Sequence, residues 1–276
     1  MAKITTLTLR EMKARHELIS ALTAYDFPTA RILDAAGIEL ILVGDSAANV
    51  VYGYATTLPI GVPEMLYHTK AVVAGVKNAL VVADMPFLSY QVSLESAVAN
   101  AGAFLKAGAE AVKVEGGEPV VRAVEHLVKL GIPVMGHLGL TPQSVHQLGG
   151  YRLQATGEQG HEQLLADARA LESAGCFAIV LEKVPAAVAR TVSAALTIPT
   201  IGIGAGPGCD GQVLVLHDIL GIFEHKFRFA KRYAELGKAI QDAVVAYRRE
   251  VKDGKFPGPE HSYEENPKPE AGSPKL

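Results

Sequence analysis

The stretch Val112-Lys113-Val114-Glu115-Gly116-Gly117 decides how the rest of the chain is interpreted. Its two valines are β-branched and favour a strand, and successive side chains of a strand point to opposite faces. Lys113 and Glu115 then share the face opposite the valines. The sequence on both sides is helical in character, which predicts a strand of a parallel sheet covered on both faces. Two ionisable side chains in a covered space need a partner, a metal ion or a substrate.

The same alternation of helical and apolar segments runs through most of the chain. About eight short apolar segments alternate with helical ones, which is the number of strands in a closed (β/α)₈ barrel. The predicted strands are 18–24, 39–43, 79–83, 112–115, 132–135, 177–181, 198–201 and 213–216. The predicted helices are 8–17, 28–36, 63–76, 93–106, 119–130, 160–174, 186–195 and 229–250. The long segments 47–61 and 141–158 are predicted to be functional loops.

The composition supports one large domain and a short tail. Of the 276 residues, 49% are hydrophobic, enough for a large core, and barrels of this kind reach about 250 residues as one domain. We expect residues 1–251 to form a single barrel and the Pro-, Glu- and Lys-rich residues 252–276 to be a largely disordered tail.

Charge and hydropathy weigh against several classes of function. The net charge of −3 gives no electrostatic reason to expect nucleic-acid binding. No apolar stretch reaches the roughly 20 residues of a membrane span, and the first residues have no apolar run typical of a signal peptide. Cys176 and Cys209 form no CxxC pair. We therefore expect a cytoplasmic protein with reduced thiols.

Ionisable residues recur where the predicted strands end. In a barrel these carboxyl ends meet at one mouth, where the active sites of the fold lie. A plainer interpretation is that each acidic residue caps the next helix, and this applies to Asp26 and Asp218 above all. It does not explain Lys113, which lies within a strand. The residues in question are Asp26, Asp45, Asp84, Glu115, His137, Glu182 and Asp218.

Three of these carboxylates indicate a metal site. Asp45, Asp84 and Glu115 would meet at neighbouring strand ends, where they cannot all stay ionised without a counter-charge. Mg²⁺ is a suitable ion because it prefers carboxylate and water oxygens. Lys113 would lie beside the metal and could hold a substrate carboxylate. Such a site suits a 2-oxo acid, whose enolate a Lewis-acidic metal would stabilise.

Two other patterns are weaker signals. The run from Gly206 to Gly211 matches GxGxxG, but Pro207 and Asp210 are unusual next to a pyrophosphate and no opening βαβ unit precedes the run. A phosphate-binding loop and a tight loop at the barrel rim both remain open for it. Of the histidines, His137 is expected in the pocket. The others considered, His68, His146 and His161, are expected at the surface or in packing.

A set of short motifs resembles one known family, ketopantoate hydroxymethyltransferase. The match extends from about Thr5 to about Ser262, and the run GHLGLTPQS is highly specific. The motifs are TAYD (23–26), VGDS (43–46), TLP (57–59), ADMPF (83–87), VKVEGG (112–117), GHLGLTPQS (136–144), GGY (149–151) and IGIGAG (201–206).

The resemblance implies a fold, an activity and an assembly. The fold would be a (β/α)₈ barrel of the phosphoenolpyruvate/pyruvate superfamily with a short leading helix. The activity would be transfer of a one-carbon unit from 5,10-methylenetetrahydrofolate to 3-methyl-2-oxobutanoate, giving 2-dehydropantoate (ketopantoate) and tetrahydrofolate on the way to pantothenate. The assembly would be a cytoplasmic homodecamer.

The resemblance also implies residue roles. Asp45, Asp84 and Glu115 match the Mg²⁺ positions, and Asp45, Ser46, Asp84 and Lys113 match the oxo-acid positions. Glu182 matches the proton acceptor. The chain departs from the family in its tail after residue 263 and slightly in residues 217–221, neither of which touches these positions.

Two rival functions are weighed against this one. A carbon–carbon lyase of the same superfamily would use a similar Mg²⁺ site, but such lyases commonly carry a KKCGH-type run, which is missing from this sequence. A non-catalytic barrel that binds an oxo acid would keep Lys113 and the metal carboxylates but would not need Glu182.

Overall fold

In the computed structural model, which describes residues 2–263, eight parallel strands close into a barrel in the order β1 to β8. The strands are β1 (Ile19–Thr23), β2 (Leu40–Val43), β3 (Leu80–Asp84), β4 (Ala111–Glu115), β5 (Val134–Gly139), β6 (Ala178–Glu182), β7 (Thr200–Ile203) and β8 (Gly211–Leu214). The α-helices of the described residues are α1 (Thr6–Ala14), α2 (Phe27–Ala35), α3 (Ala47–Val50), α4 (Val62–Gly75), α5 (Leu94–Lys106), α6 (Val121–Lys129), α7 (Gly157–Ser173), α8 (Ala186–Ala195), α9 (Leu216–Ile219) and α10 (Leu236–Lys252). Short 3₁₀ turns lie at Glu118–Val120, Pro142–Ser144 and Pro259–His261.

Strand alternation divides the core into two layers. In β4, Val112 and Val114 pack outward against the helices, whereas Ala111 belongs to the cluster that fills the barrel interior. Lys113 and Glu115 follow Ala111 at intervals of two, so they also point inward. All five residues of β4 are buried. The predicted separation of the valines from the ionic pair is therefore confirmed.

Helix α1 closes the amino end of the barrel. It begins with a capping box between Thr5 and Thr8. Leu9 and Met12 of this helix belong to the same apolar cluster as the barrel interior. Lys13 fastens the helix, because its Nζ donates a hydrogen bond of 2.9 Å to Asp210 Oδ2. This closure leaves the carboxyl end of the barrel as the open mouth.

Two strands are shifted relative to the prediction. Strand β5 begins two residues later and ends four residues later, and β7 begins and ends two residues later. Each predicted strand began with an Ile-Pro pair, but proline has no N–H for the ladder, so each strand begins after it. Each then continues through glycine, a residue that the sequence pattern assigned to the strand end. Gly136 is needed there because a Cβ would lie 2.8 Å from Leu171 Cδ1 of α7. As a result, His137 lies within β5 and not after it.

The glycine run lies in the connection from β7 to β8, which contains no helix over residues 204–210. Asp210, at the amino end of β8, accepts hydrogen bonds from Lys13 and from the Thr200 hydroxyl. These contacts occupy its carboxylate at the closed end of the barrel. They support the interpretation of a tight structural loop and give no support to a dinucleotide site.

The predicted helix 229–250 is wrong at its start. Helix α10 begins at Leu236, and the preceding residues are held in an irregular segment. Arg232 donates hydrogen bonds to the carbonyls of Glu224 and His225, and the Tyr233 N–H pairs with the Ile219 carbonyl. In a helix that began at residue 229 the Tyr233 N–H would bond to the Phe229 carbonyl, so its pairing with Ile219 is incompatible with that helix.

The predicted boundary at residue 251 falls inside α10, which extends to Lys252. Phe256 then packs between Tyr247 and His261, with ring centroids 5.5 and 5.2 Å away. Residues 264–276 lie outside the described residues, so the disorder of the tail stays a prediction. No helix between residues 2 and 263 is both long and apolar enough to span a membrane.

Candidate active site

The strand register brings the predicted site residues to one end of the barrel. Asp84 at the end of β3 lies opposite Lys113, and Glu115 at the end of β4 lies opposite His137. Glu182 ends β6, opposite Gly139 of β5. A cavity of about 180 Å³ opens at this mouth. Its lining includes all the residues that the sequence assigned to substrate, metal or proton transfer: Asp45, Ser46, Asp84, Lys113, Glu115 and Glu182.

Lys113 lies among the carboxylates. Its Nζ is 3.0 Å from Asp84 Oδ1 and 3.8 Å from Glu115 Oε1, and these three side chains are at most 4% exposed. Asp45 joins them, because its backbone N–H donates a hydrogen bond of 3.0 Å to Asp84 Oδ2. Three carboxylates and one ammonium group therefore share a buried cluster.

The pKa directions show that this cluster is short of positive charge. Burial, Glu115 and Asp84 together raise the pKa of Asp45 well above its usual value. Burial also raises the pKa of Asp84, although Lys113 opposes the shift. Burial disfavours the charged form of Lys113, but the surrounding carboxylates outweigh it and raise the pKa of this ammonium group. Excess negative charge in a buried space attracts a further cation.

His137 connects this cluster with Glu182. Its Nδ1 lies 3.1 Å from Lys113 Nζ and 3.2 Å from Glu115 Oε1, and its Nε2 lies 3.2 Å from Glu182 Oε2. Burial and Lys113 oppose protonation of the ring, but Glu115 and Glu182 outweigh them and raise the pKa of His137 to about 9. The ring therefore lies between two carboxylates, with the Lys113 ammonium group beside its Nδ1. Its predicted place in the pocket is confirmed.

Ser46 occupies the mouth beside Asp45. Its Oγ lies 2.8 Å from the hydroxyl of Tyr25, a buried residue of the TAYD motif to which the sequence pattern assigns no role. Asp26 accepts a hydrogen bond from the Thr29 N–H and caps α2, as the plainer interpretation expected. Asp218 lines the pocket from α9, and burial raises its pKa.

The two long loops form part of the pocket wall. Asn49 and Thr57 contribute from segment 47–61, which contains the short helix α3, and Pro142 and Tyr151 contribute from segment 141–158. The second loop is tied to the end of β6, because the Gln154 N–H donates a hydrogen bond of 2.9 Å to the carbonyl of Lys183, the residue after β6. Both loops are therefore placed to control access to the carboxylate cluster.

Sequence reasoning gave no role to Gln143, which lies within the GHLGLTPQS motif. Its side chain is buried and donates a hydrogen bond of 3.0 Å to Asp45 Oδ2. The one available signal was a polar residue inside a specific motif that follows a site strand. The partner lies far away in the sequence, so spacing could not reveal the contact.

The donor chemistry fits a hard divalent cation. Asp84 Oδ1 and Glu115 Oε1 are buried and lie 3.0 Å from Lys113 Nζ and 3.2 Å from His137 Nδ1, and carboxylate oxygens are the ligands that Mg²⁺ prefers. Over residues 2–263, no three carboxylate, imidazole or thiol side chains are grouped as a ready-made metal site. Asp45, Asp84 and Glu115 are the residues that would hold such a cation, beside the Lys113 ammonium group.

Comparison with known proteins identifies the family. The sequence profile of ketopantoate hydroxymethyltransferase matches residues 3–259. The chain belongs to the ketopantoate hydroxymethyltransferase family. It is 55% identical over 261 residues to the 3-methyl-2-oxobutanoate hydroxymethyltransferase of Syntrophotalea carbinolica, covering 94% of this chain and 98% of that one. The corresponding protein of Moorella thermoacetica is 56% identical over 265 residues, covering 95% and 98%. The predicted family and enzyme class, a transferase, are confirmed.

Solved structures support the fold. Phosphonopyruvate hydrolase in complex with oxalate and Mg²⁺ aligns with a TM-score of 0.63 at 14% identity, covering 95% of this chain and 93% of that one. A 2,3-dimethylmalate lyase, a member of the PEP mutase/isocitrate lyase superfamily, aligns with a TM-score of 0.60 at 19% identity, covering 95% and 90%. At such identity these likenesses concern the fold alone. They confirm the predicted barrel.

Proposed function

We propose that this enzyme transfers a hydroxymethyl group from 5,10-methylenetetrahydrofolate to 3-methyl-2-oxobutanoate. With one water molecule consumed, the products are 2-dehydropantoate and tetrahydrofolate, so the enzyme acts in the synthesis of pantothenate. The observation that carries this proposal is the linked arrangement of Glu182, His137 and the Lys113–carboxylate cluster in one pocket. Family membership supports the choice of both substrates.

Lys113 and Ser46 bind and orient the oxo acid. The ammonium group of Lys113 is the natural partner for the substrate carboxylate, because it is buried, charged and next to the cavity. The Ser46 hydroxyl, held by Tyr25, adds a second polar contact at the mouth. Apolar residues of the barrel wall, including Leu42, Val180 and Val213, suit the branched carbon chain. Fixed in this way, the substrate meets its reaction partner in an effectively intramolecular step.

Glu182 accepts the proton from C3 of the oxo acid. Its side chain is 14% exposed at the mouth, and its Oε2 lies 3.2 Å from His137 Nε2, which holds the carboxylate in place as a base. Water cleaves both C–N bonds of the folate methylene group, which gives tetrahydrofolate and leaves the water oxygen on a one-carbon unit at the oxidation level of formaldehyde. C3 of the enolate forms the new C–C bond to this carbon, and the oxygen takes up a proton to become the hydroxyl group of 2-dehydropantoate. The loops 47–61 and 141–158 shape the folate entrance and limit the access of water.

Asp45, Asp84 and Glu115 hold Mg²⁺. When bound, the ion supplies Lewis-acid stabilisation of the enolate oxygen. Two of these carboxylates also contact the oxo acid: Asp45 and Asp84. The structure of phosphonopyruvate hydrolase with oxalate and Mg²⁺ supports a site of this kind on the same fold.

The lyase alternative has less support. The likeness to 2,3-dimethylmalate lyase extends to the fold, and the family match is to hydroxymethyltransferases. A barrel that only binds an oxo acid would leave the contact between Glu182 and His137 without a role. Neither alternative is favoured by a specific observation on this site.

Proton NMR of 3-methyl-2-oxobutanoate in D₂O tests the proposal. With the protein and Mg²⁺, the signal of the C3 hydrogen should disappear as deuterium replaces it, and a chelator should prevent the loss. Added methylenetetrahydrofolate should give 2-dehydropantoate. Glu182→Gln should abolish both reactions, whereas Glu162→Gln, the same change on the exposed face of α7, should leave them unchanged. If neither exchange nor product forms with both substrates present, the enzymatic assignment fails. Full activity of Glu182→Gln removes Glu182 from the base role.

The assembly, location and domain division are part of the same proposal. We infer a homodecamer, which ten chains of 29.2 kDa would bring to about 290 kDa by light scattering. The apolar side chains of Leu236, Ile240 and Val244 on α10 are exposed in the single chain, which supports contacts between subunits. We place the enzyme in the cytoplasm, with residues 1–251 as the catalytic barrel and 252–276 as a tail.

A further inference from the structure

The side-chain amide of Gln143 forms hydrogen bonds through both its nitrogen and its oxygen beside the carboxylate cluster. It lies in the 3₁₀ turn after β5, and its side chain is buried. The amide nitrogen Nε2 donates to Asp45 Oδ2 and to the Met85 carbonyl, each at 3.0 Å. The amide oxygen accepts from the Tyr90 hydroxyl at 2.9 Å. Both acceptors face the nitrogen and the donor faces the oxygen, so the orientation of the amide is fixed.

The same residue reaches a second carboxylate through its backbone. The Gln143 N–H donates a hydrogen bond of 2.9 Å to Glu115 Oε2. One residue of the β5 loop therefore contacts carboxylates that belong to the ends of β2 and β4. Neither the loop nor the carboxylates can move far without breaking one of these bonds.

In each of the three carboxylates of the cluster, one oxygen accepts a hydrogen bond from an N–H group. Asp45 Oδ2 and Glu115 Oε2 are bound by Gln143, and Asp84 Oδ2 is bound by the Asp45 N–H. The other oxygens of Asp84 and Glu115 accept no hydrogen bond from a neutral group of the described residues and face Lys113 Nζ and His137 Nδ1, at 3.0 and 3.2 Å. Neutral N–H donors thus fix one oxygen of each carboxylate without adding positive charge. The remaining oxygens are available to a cation.

The hydroxyl group of Tyr90 stabilises this arrangement. Its hydroxyl accepts the Glu115 N–H at 2.9 Å, so its single proton is available for the Gln143 amide oxygen or the Glu115 carbonyl, at 2.9 and 3.1 Å. The hydroxyl is buried with the cluster. Tyr90 therefore stabilises the amide orientation in which Nε2, and not the oxygen, faces Asp45.

We propose that Gln143 is a positioning residue, oriented by Tyr90, that presents the Asp45 and Glu115 carboxylates to a divalent cation. The inference rests on the metal site of the proposed function and deepens it. Partners in the second layer around a metal typically change its affinity by 10- to 100-fold. The role predicts a defect in metal affinity that exceeds any defect in folding.

Binding of Mn²⁺, followed by the electron paramagnetic resonance of the free ion, measures this directly. Gln143→Met keeps the length of the side chain and removes its polar groups, and we expect its Kd for Mn²⁺ to rise at least tenfold. Tyr90→Phe should raise the Kd by less, about threefold, because the amide oxygen loses one orienting contact while Nε2 keeps its bonds to Asp45 and Met85. Gln163→Met makes the same change as the first variant on the exposed face of α7 and should match the wild type.

A kinetic measurement separates positioning from a general structural role. If Gln143 acts through the metal, the oxo-acid exchange rate of Gln143→Met should return toward the wild-type rate as the Mg²⁺ concentration rises. An unchanged Kd in the folded variant, or a defect that Mg²⁺ does not relieve, overturns the proposal. Should Gln143→Met fail to fold, Tyr90→Phe decides, and a wild-type Kd in that variant has the same consequence.

The outcomes for the two proposals are distinguishable. A wild-type protein that binds Mn²⁺ but neither exchanges the oxo acid nor makes product refutes the proposed function, and the Mn²⁺ affinities of the variants still test Gln143. A wild-type protein that makes product without binding Mn²⁺ overturns the inference about Gln143 and leaves the hydroxymethyl transfer standing.

Discussion

Gly139 is a position where one added methyl group should disable the base on the neighbouring strand. Its φ is +87°, and an added Cβ would lie 2.2 Å from the Glu182 carbonyl oxygen and 2.6 Å from Val184 Cγ1. That carbonyl also accepts the Leu140 N–H, which ties the two strand ends together. Alanine at 139 must therefore push the Glu182 backbone aside, and the carboxylate with it.

Two costs add for Gly139→Ala. A non-glycine residue in the left-handed region costs roughly 1–2 kcal/mol, and forcing a methyl group into a packed space costs about 1–3 kcal/mol. The expected loss of folding free energy is then about 2–5 kcal/mol, or on the order of 4–20 °C in Tm at about 2–4 °C per kcal/mol. Displacement of a catalytic group by about 1 Å can cost about 100-fold in rate.

Gly149→Ala is the matched control. Gly149 has φ +68°, but its added Cβ would meet nothing within 4 Å, so this variant carries the backbone cost without the clash. The assays are thermal unfolding and the C3–H exchange of the oxo acid. We expect a small loss of Tm and near wild-type exchange for Gly149→Ala, and a larger loss of both for Gly139→Ala. Equal behaviour of the two variants would refute the steric argument.

Three further predictions concern Asp34, Lys113 and the tail. Burial would raise the pKa of Asp34, but the backbone N–H groups of residues 77–79 and the Asn78 amide lower it. Asp34→Asn should therefore cost about 1–3 kcal/mol at pH 7, and in chemical denaturation this difference should shrink as the pH falls below about 4 toward the folded pKa. Lys113→Met should raise the KM for the oxo acid. Mg²⁺ should also raise the Tm of this variant more than it raises the wild-type Tm, because Lys113 and the metal ion both balance the carboxylate charges. An equal rise in both proteins would contradict this shared role. Removal of residues 264–276 should leave kcat/KM within about twofold of the full chain, and a larger loss would assign the tail a catalytic role.

Much of the fold could be predicted because its signals are local. The alternation of residues along β4 is enough to predict that Lys113 and Glu115 point inward, and the position of ionisable residues at strand ends locates the mouth. The errors also have local causes. Glycine is ambiguous in a sequence, since it ends some strands and permits close packing in others, as Gly136 does. The residues before α10 have a helical pattern, but Arg232 holds them in another conformation.

The network that orders the site could not be predicted in the same way. Gln143 lies 28 residues from Glu115 and 98 residues from Asp45, so no periodicity relates them. Only the closure of the barrel brings β2, β4 and the β5 loop together. The ionic residues could be recognised in the sequence because burying a charged side chain is costly. The sequence gives no comparable signal for a neutral amide in a loop.

The charge of the site explains why this neutral network matters. Asp45, Asp84, Glu115 and Glu182 carry four negative charges when ionised, and Lys113 together with His137, when its ring is protonated, carries two positive ones. The deficit of two is the charge of one divalent ion. Without that ion, the raised pKa values of Asp45 and Asp84 show that protons are the available substitute. Had an arginine held Asp45 in place of Gln143, the deficit would be smaller and the demand for a divalent cation weaker. Neutral positioning groups therefore preserve the imbalance that a metal-assisted enolisation requires, while fixing the geometry in which the ion is held.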